Sequence, residues 1–316
     1  MPPRSADAKR EIWHADFLIE TSVFGCAALD RRFYERLAVQ VHKMTAKEGY
    51  GKAWIPWTAF HEMIATPDPK RREILGVLVD LYRELGDRIV LTGSLEETLA
   101  GEWSDPQRFV SASLGQLEEE LLACVRGNGA GTVIDEAGRD FAEWRLKKRA
   151  EYTASVEEFR AKYRSSEQFG KTIGAVLARA RPPDIYETCD DVAAQLIVNF
   201  AQRDREQGLR LAKATPKKYL STWTFALLYR IAQFAQTIPT EERARGPFGG
   251  YAKLLKSHPN DMTDATIASL GARCGFLITQ DGDLRERINF LHARETCRIQ
   301  AFEFSDIEAN WNVPGV

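Results

Sequence analysis

Short apolar runs alternate with helically spaced apolar positions at both ends of the chain, and this alternation predicts most of the elements. Phe17-Leu18-Ile19 is an apolar run of strand length. Phe24, Ala28, Phe33, Leu37 and Val41 then recur at helical spacing over 23–43. Ala53-Trp54-Ile55 predicts a second strand, stopped by Pro56, and Arg88-Ile89-Val90-Leu91-Thr92 a third. Between these two strands, 58–66 and 69–85 read as helices split by Pro67-Asp68-Pro69. The pattern returns near the C-terminus, with helices over 261–273 and 283–293 and strands over 275–279 and 298–302. Strands alternating with helices predict βαβ units and a small parallel five-stranded sheet flanked by helices.

The middle of the chain has a different pattern. From 94 to 257 strand signals are almost absent, and the apolar spacing predicts helices over 106–126, 135–180, 184–207 and 217–237. The expected architecture is an α/β core built from 14–93 and 258–306, a large all-helical insertion over 94–257, and terminal segments 1–13 and 307–316. Between Arg139 and Arg181 the insertion carries 11 Lys or Arg against six acids. Such a run forms either a solvated helix face or a phosphate-binding surface.

Composition narrows the class. Of the 316 residues, 44% are hydrophobic and 28% charged, which excludes a wholly disordered chain. No apolar run approaches the roughly 18 residues of a membrane span, and no apolar segment follows the N-terminal charge as a secretory leader requires. Cys26, Cys124, Cys189, Cys274 and Cys297 stand singly, arguing against a disulfide framework or zinc knuckle and for a reducing cytoplasm. A net charge of −2 is not that of a protein that coats nucleic acid, though it is compatible with a local basic surface. His14, His42, His61, His258 and His292 show no paired-ligand spacing, and no nucleophile elbow or P-loop occurs.

Candidate chemistry lies in acids placed where strands end. Glu20 follows the first strand, with Thr21 and Ser22 opening the next helix. Glu62 lies about one turn into the helix after the second strand. Asp261 and Asp264 are three positions apart and share a helix face. Thr279-Gln280-Asp281-Gly282-Asp283 forms a tight turn after the fourth strand. Each has an ordinary reading as a helix-start acid or an Asp-Gly turn. Their common position at the carboxyl ends of strands, where open α/β sheets bind ligands, points to a shared centre. Clustered carboxylates repel one another unless a cation neutralises them, and oxygen-only donors suit Mg²⁺ or Mn²⁺. Two such ions about 3.5–4 Å apart activate water and stabilise a leaving oxygen in phosphodiester hydrolysis.

This order of motifs resembles the PIN-domain family over 14–92 and 258–304. The matching elements are Glu20-Thr21-Ser22 (where the family more often has Asp), Glu62, the Asp264-Ala265-Thr266-Ile267-Ala268 helix, and the Thr279–Leu284 turn, with Leu284 where Phe is usual. The resemblance implies a PIN-like fold and a metal-dependent endonuclease, most often a ribonuclease. It assigns Glu20, Glu62, Asp264 and Asp281 as catalytic metal ligands, and Thr21, Ser22, Asp261, Thr279 and Asp283 as auxiliaries. It further implies a nucleic-acid partner, RNA above DNA, and a protein partner or second copy, with no membrane. The helical insertion departs from the compact toxins of that family. The alternatives are a degenerate PIN-like binding or regulatory module acting through the insertion, and a nuclease for DNA or flap structures.

Overall fold

The computed structural model describes residues 16–45, 51–104, 111–168, 192–196, 198–199, 220–237, 261–272, 274–293 and 299–310, together with Lys171 and Glu206. At its centre, β1 (Phe17–Ile19) pairs in parallel with β2 (Ala53–Ile55) on one side and β5 (Phe276–Ile278) on the other. Beyond β2 lies β3 (Ile89–Thr92), and beyond β5 lies β6 (Gln300–Phe302), both also parallel. With β4 (Ser111–Ala112) at one edge, the sheet order is β4-β3-β2-β1-β5-β6. The five expected strands and their parallel pairings are present, but the all-parallel five-stranded sheet needs correction. A sixth strand, β4 (Ser111–Ala112), adds antiparallel to β3 within the stretch expected to be helical over 106–126. Two residues are too short to show a period. This strand arises from pairing with Leu91 and Thr92 rather than from its own pattern.

Between β1 and β2 the expected single helix is two: α1 (Thr21–Leu29) and α2 (Arg31–Thr45). Asp30 separates them. Its backbone is extended, its N–H donates to the Cys26 carbonyl to end α1, and its carboxylate accepts from Arg32 N at 2.9 Å to start α2. A short acid that caps helices competes well with continuing one. After β2 come α3 (Trp57–Ile64) and α4 (Lys70–Leu85), and after β3 comes α5 (Leu95–Ser104). Then follow α6 (Glu118–Val125), the long α7 (Val133–Ser165) and α8 (Leu220–Thr237). The C-terminal part supplies α9 (Asp261–Leu270), α10 (Gly282–His292) and α11 (Phe304–Asn310). The helix expected over 184–207, and 166–180 of the expected long helix, lie largely outside the described residues.

Alternation along each strand sends side chains to both faces of the sheet. Phe17, Ile19, Ile55, Leu91 and Ile278 pack against Val23 and Phe24 of α1, Leu37 of α2, Met63 of α3, Leu78 of α4 and Ile307 of α11. Leu18, Trp54 and Leu277 face the opposite way, toward Trp223 and Leu227 of α8, Ile267 and Ala268 of α9, and Ile288 of α10. Helix α8, from the middle of the chain, thus covers this face together with α9 and α10 of the C-terminal part. Glu102, fully buried on α5, ties α8 down: its carboxylate accepts from Ser221 N at 2.8 Å, Thr222 N at 2.9 Å and Thr222 Oγ1 at 2.8 Å. These bonds satisfy donors that a helix start otherwise leaves open. Asn289 of α10 occupies part of the free edge of β6, donating to Ala301 O and accepting from Ala301 N. Among the described residues no helix is long and apolar enough to cross a membrane.

Candidate active site

The chain leaves β1 toward β2 and β3 on one side, then returns to place β5 and β6 on the other. The gap between the carboxyl ends of β1 and β5 is therefore the point where strand order reverses, the position at which open α/β sheets form their ligand-binding crevice. Ile19 pairs with Ile278, so the residues that follow each, Glu20 and Thr279, emerge side by side.

Glu20 is the N-cap of α1, in place of the shorter acids and hydroxyls that usually cap. Its Oε2 accepts from Ser22 N at 3.0 Å, from the Ser22 hydroxyl, and from Thr279 Oγ1 at 3.1 Å. The same Ser22 hydroxyl accepts from Gln280 N at 2.8 Å, and Thr279 Oγ1 accepts from Asp281 N at 2.9 Å. Two expected auxiliaries, Ser22 and Thr279, thus form one network around Glu20 together with the backbone of the turn after β5. All three donors go to Oε2, leaving Oε1 without a hydrogen bond among the described residues. Asp281 repeats the arrangement as the residue before α10: its Oδ1 accepts from Leu284 N at 3.0 Å.

Glu62 comes from α3. Its Oε2 accepts from Thr21 Oγ1 at 3.0 Å, and its Oε1 lies 3.5 Å from Arg145 of α7. Asp264, on α9, faces Arg287 of α10 at 3.5 Å. Asp261 is the more committed of that pair. It is 3% exposed, ion-paired to Arg287, and accepts from the Tyr152 hydroxyl at 3.4 Å. Asp283 lies in the first turn of α10, where its charge helps hold the Arg287 proton.

Burial and mutual repulsion decide the protonation of these acids. Glu20 is raised above the usual carboxylate range by burial, against the pull of its Ser22 and Thr279 hydrogen bonds, and further by the charge of Asp281. Glu62 is pushed up to about 7, mainly by burial and then by Glu20, with Thr21, Arg145 and Arg149 opposing. Burial raises Asp264 well above its usual value. Arg287 opposes this, while Asp281, Asp261 and Glu20 add to it. The four expected ligands therefore sense one another across one crevice.

Comparison with protein-family models, curated proteins and solved structures gave no match. The reading of the site rests on its own geometry.

Among the described residues no group of three or more His, Cys, Asp or Glu side chains is drawn together closely enough to hold a metal ion. The donor chemistry nonetheless fits a hard cation. Every candidate ligand is a carboxylate, and Glu20 and Asp281 each hold one oxygen in hydrogen bonds with the other left over. Repulsion keeps uncompensated carboxylates apart.

Two cations were not foreseen. Arg287 lies one turn beyond Asp283 on the same helix, a spacing that would have pointed to it. Arg145 belongs to the basic run noted above, but its contact with Glu62 depends on how α7 crosses α3. Elsewhere in that run Lys148, Arg160, Lys162 and Lys171 pair with acids three or four residues away, as on a solvated helix.

Proposed function

We propose that the chain is a divalent-metal-dependent phosphodiesterase acting on nucleic acid, most economically an endoribonuclease on a PIN-like core. The observation that carries this reading is the placement of Glu20 and Asp281 at the strand-order reversal with Glu62 and Asp264 in electrostatic reach: burial raises Glu20, Glu62 and Asp264, and like charge adds to each. Retaining such a group is costly unless a cation repays it. Glu20, Glu62, Asp264 and Asp281 would hold Mg²⁺ or Mn²⁺. Such an ion supplies Lewis-acid stabilisation of charge on phosphate oxygens and lowers the pKa of water. The protein's own groups supply orientation. Ser22 and Thr279 fix one oxygen of Glu20 and leave the other without a hydrogen bond among the described residues, Thr21 fixes one oxygen of Glu62 while Arg145 faces the other, and the Leu284 N–H holds Asp281.

A second reading is favoured by a specific observation. Arg145 and Arg287 already compensate Glu62 and Asp264 in part, as in a site that has lost its metal and serves as a binding module.

Cleavage of labelled single-stranded RNA with and without Mn²⁺, by wild type and Asp281→Asn in parallel, separates the two. Asn still caps α10, so the fold should survive. Metal-dependent cutting that disappears in Asp281→Asn supports the nuclease. Wild-type inactivity across RNA and DNA substrates moves the assignment to the binding module.

A further inference from the structure

Beside the acidic crevice, α3, α7 and the start of α5 enclose a cleft of about 320 Å³ that none of the catalytic roles above uses. Its walls are aromatic. Trp57 and His61 of α3 lie 4.5 Å apart between ring centroids, His61 meets Phe141 of α7 edge-on at 5.1 Å, and Phe141 stacks on Trp144 at 5.3 Å. Trp144 lines the cleft and remains 38% exposed, so part of its ring is open to a stacking partner. Asp140 and Glu96 also line the cleft, and neither makes a hydrogen bond or ion pair among the described residues. Thr266 closes one side, two residues along α9 from Asp264, while Glu62 follows His61 directly on α3.

We propose that this cleft binds one base of a single-stranded nucleic acid, next to the phosphate presented to the acidic site. The inference rests on the phosphodiesterase reading and adds the substrate form. Exposed aromatic faces stack on unpaired bases, which a duplex keeps hidden. Carboxylates are acceptors only, so Asp140 and Glu96 match the exocyclic amines of adenine, cytosine or guanine. They also repel phosphate, leaving the backbone outside the cleft. Arg145, adjacent to Trp144 and 3.5 Å from Glu62, lies where that phosphate would pass.

The test is binding of a fluorescent octanucleotide by the full chain in EDTA, where metal-dependent cutting is suppressed. Trp144→Leu keeps an apolar side chain but no aromatic face, and Trp144→Tyr restores one. Because Trp144 is exposed, neither should disturb the fold. Single strands should bind wild type, lose about tenfold in affinity to Trp144→Leu, and recover to within about threefold with Trp144→Tyr. RNA and DNA versions of the oligonucleotide identify which sugar is preferred, and a duplex should bind more weakly than either. Equal affinity of wild type and Trp144→Leu overturns the proposal, as does a wild type that binds no single strand. Displacement by tetramethylammonium, but not by matched sodium chloride, would make the cleft a cation cage and overturn it too. If Mn²⁺-dependent cleavage occurs and Trp144→Leu cuts and binds normally, the base cleft fails while the nuclease stands. Trp144-dependent binding without any cleavage gives the reverse.

Discussion

A buried carboxylate is tolerated only as far as its neighbours supply donors, and Ser22 supplies most for Glu20. Its N–H and hydroxyl both reach Oε2, and the same hydroxyl receives Gln280 N, so one oxygen joins α1 to the turn after β5. Ser22→Ala deletes the hydroxyl bonds but keeps the backbone one. The unpaired Gln280 N–H and the less compensated carboxylate should together cost about 1–3 kcal/mol, read from urea unfolding. The Glu20 carboxyl should also titrate higher, because the serine hydrogen bond is among the effects holding it down. Carboxyl-region NMR of metal-free protein follows that directly. Unchanged stability with an unchanged titration would show that the network has no energetic weight. The residues of this network were legible in the sequence, because acids and hydroxyls that follow strands fall at one sheet edge. Arg145 was not, since its role depends on which helix faces meet, and Arg287 showed only through its spacing from Asp283, its pairing with Asp261 and Asp264 being set by how α10 meets α9.

At the scale of elements, the decisive contact is α7 lying against α3. Gly138 allows it. A Cβ built there would stand 2.7 Å from the Ile64 carbonyl oxygen and 3.1 Å from its carbon, both backbone atoms that cannot swing away. Helix propensity alone says that Gly138→Ala stabilises α7 by about 1 kcal/mol. The close approach reverses the sign, and overpacking against backbone should leave a net loss of about 1–3 kcal/mol in chemical denaturation. Displacing α7 would also withdraw Phe141, Trp144 and Arg145 from α3. A more stable Gly138→Ala would mean that the helices can separate freely. Strands β1, β2, β3, β5 and β6 were legible because their apolar runs are set off by polar or helical stretches. The break at Asp30 and the two-residue β4 were hidden for opposite reasons. Asp30 interrupts an apolar period that continues on both sides of it, whereas β4 has no period and exists through its partner. Gly138 showed only as a glycine in a helical stretch, and the sequence alone does not say what it lies against.

For the whole molecule, the pH dependence of stability carries the signature of the site, though two neighbours on α3 obscure it. Burial lowers His61 to about 4 from its usual 6.5, so the folded chain binds fewer protons there, and stability rises with pH through that window. Glu62 does the opposite. Raised from its usual 4.5 to about 7, it holds its proton longer in the folded chain, so its contribution is complete below 4.5 and is lost as pH climbs through 7. Between pH 4.5 and 6.5 these two nearly cancel, while Glu20 and Asp264, also raised by burial, make the wild-type profile fall as pH climbs. Glu62→Gln removes one side of the balance, since an amide cannot ionise. In EDTA the variant should match wild type near pH 4.5 and become more stable than wild type by about 3 kcal/mol at pH 8. That is a thermal shift on the order of 5 °C. Mn²⁺ should reverse the ranking at pH 8 if the carboxylates bind it, because a cation stabilises the ionised form that wild type alone can adopt. A variant that tracks wild type at every pH in EDTA would mean that Glu62 is solvated and ionises normally, and the shared acidic crevice would lose one of its four members. A variant that gains stability in EDTA but shows no reversal with Mn²⁺ would instead fit a site whose charge is answered by Arg145 alone.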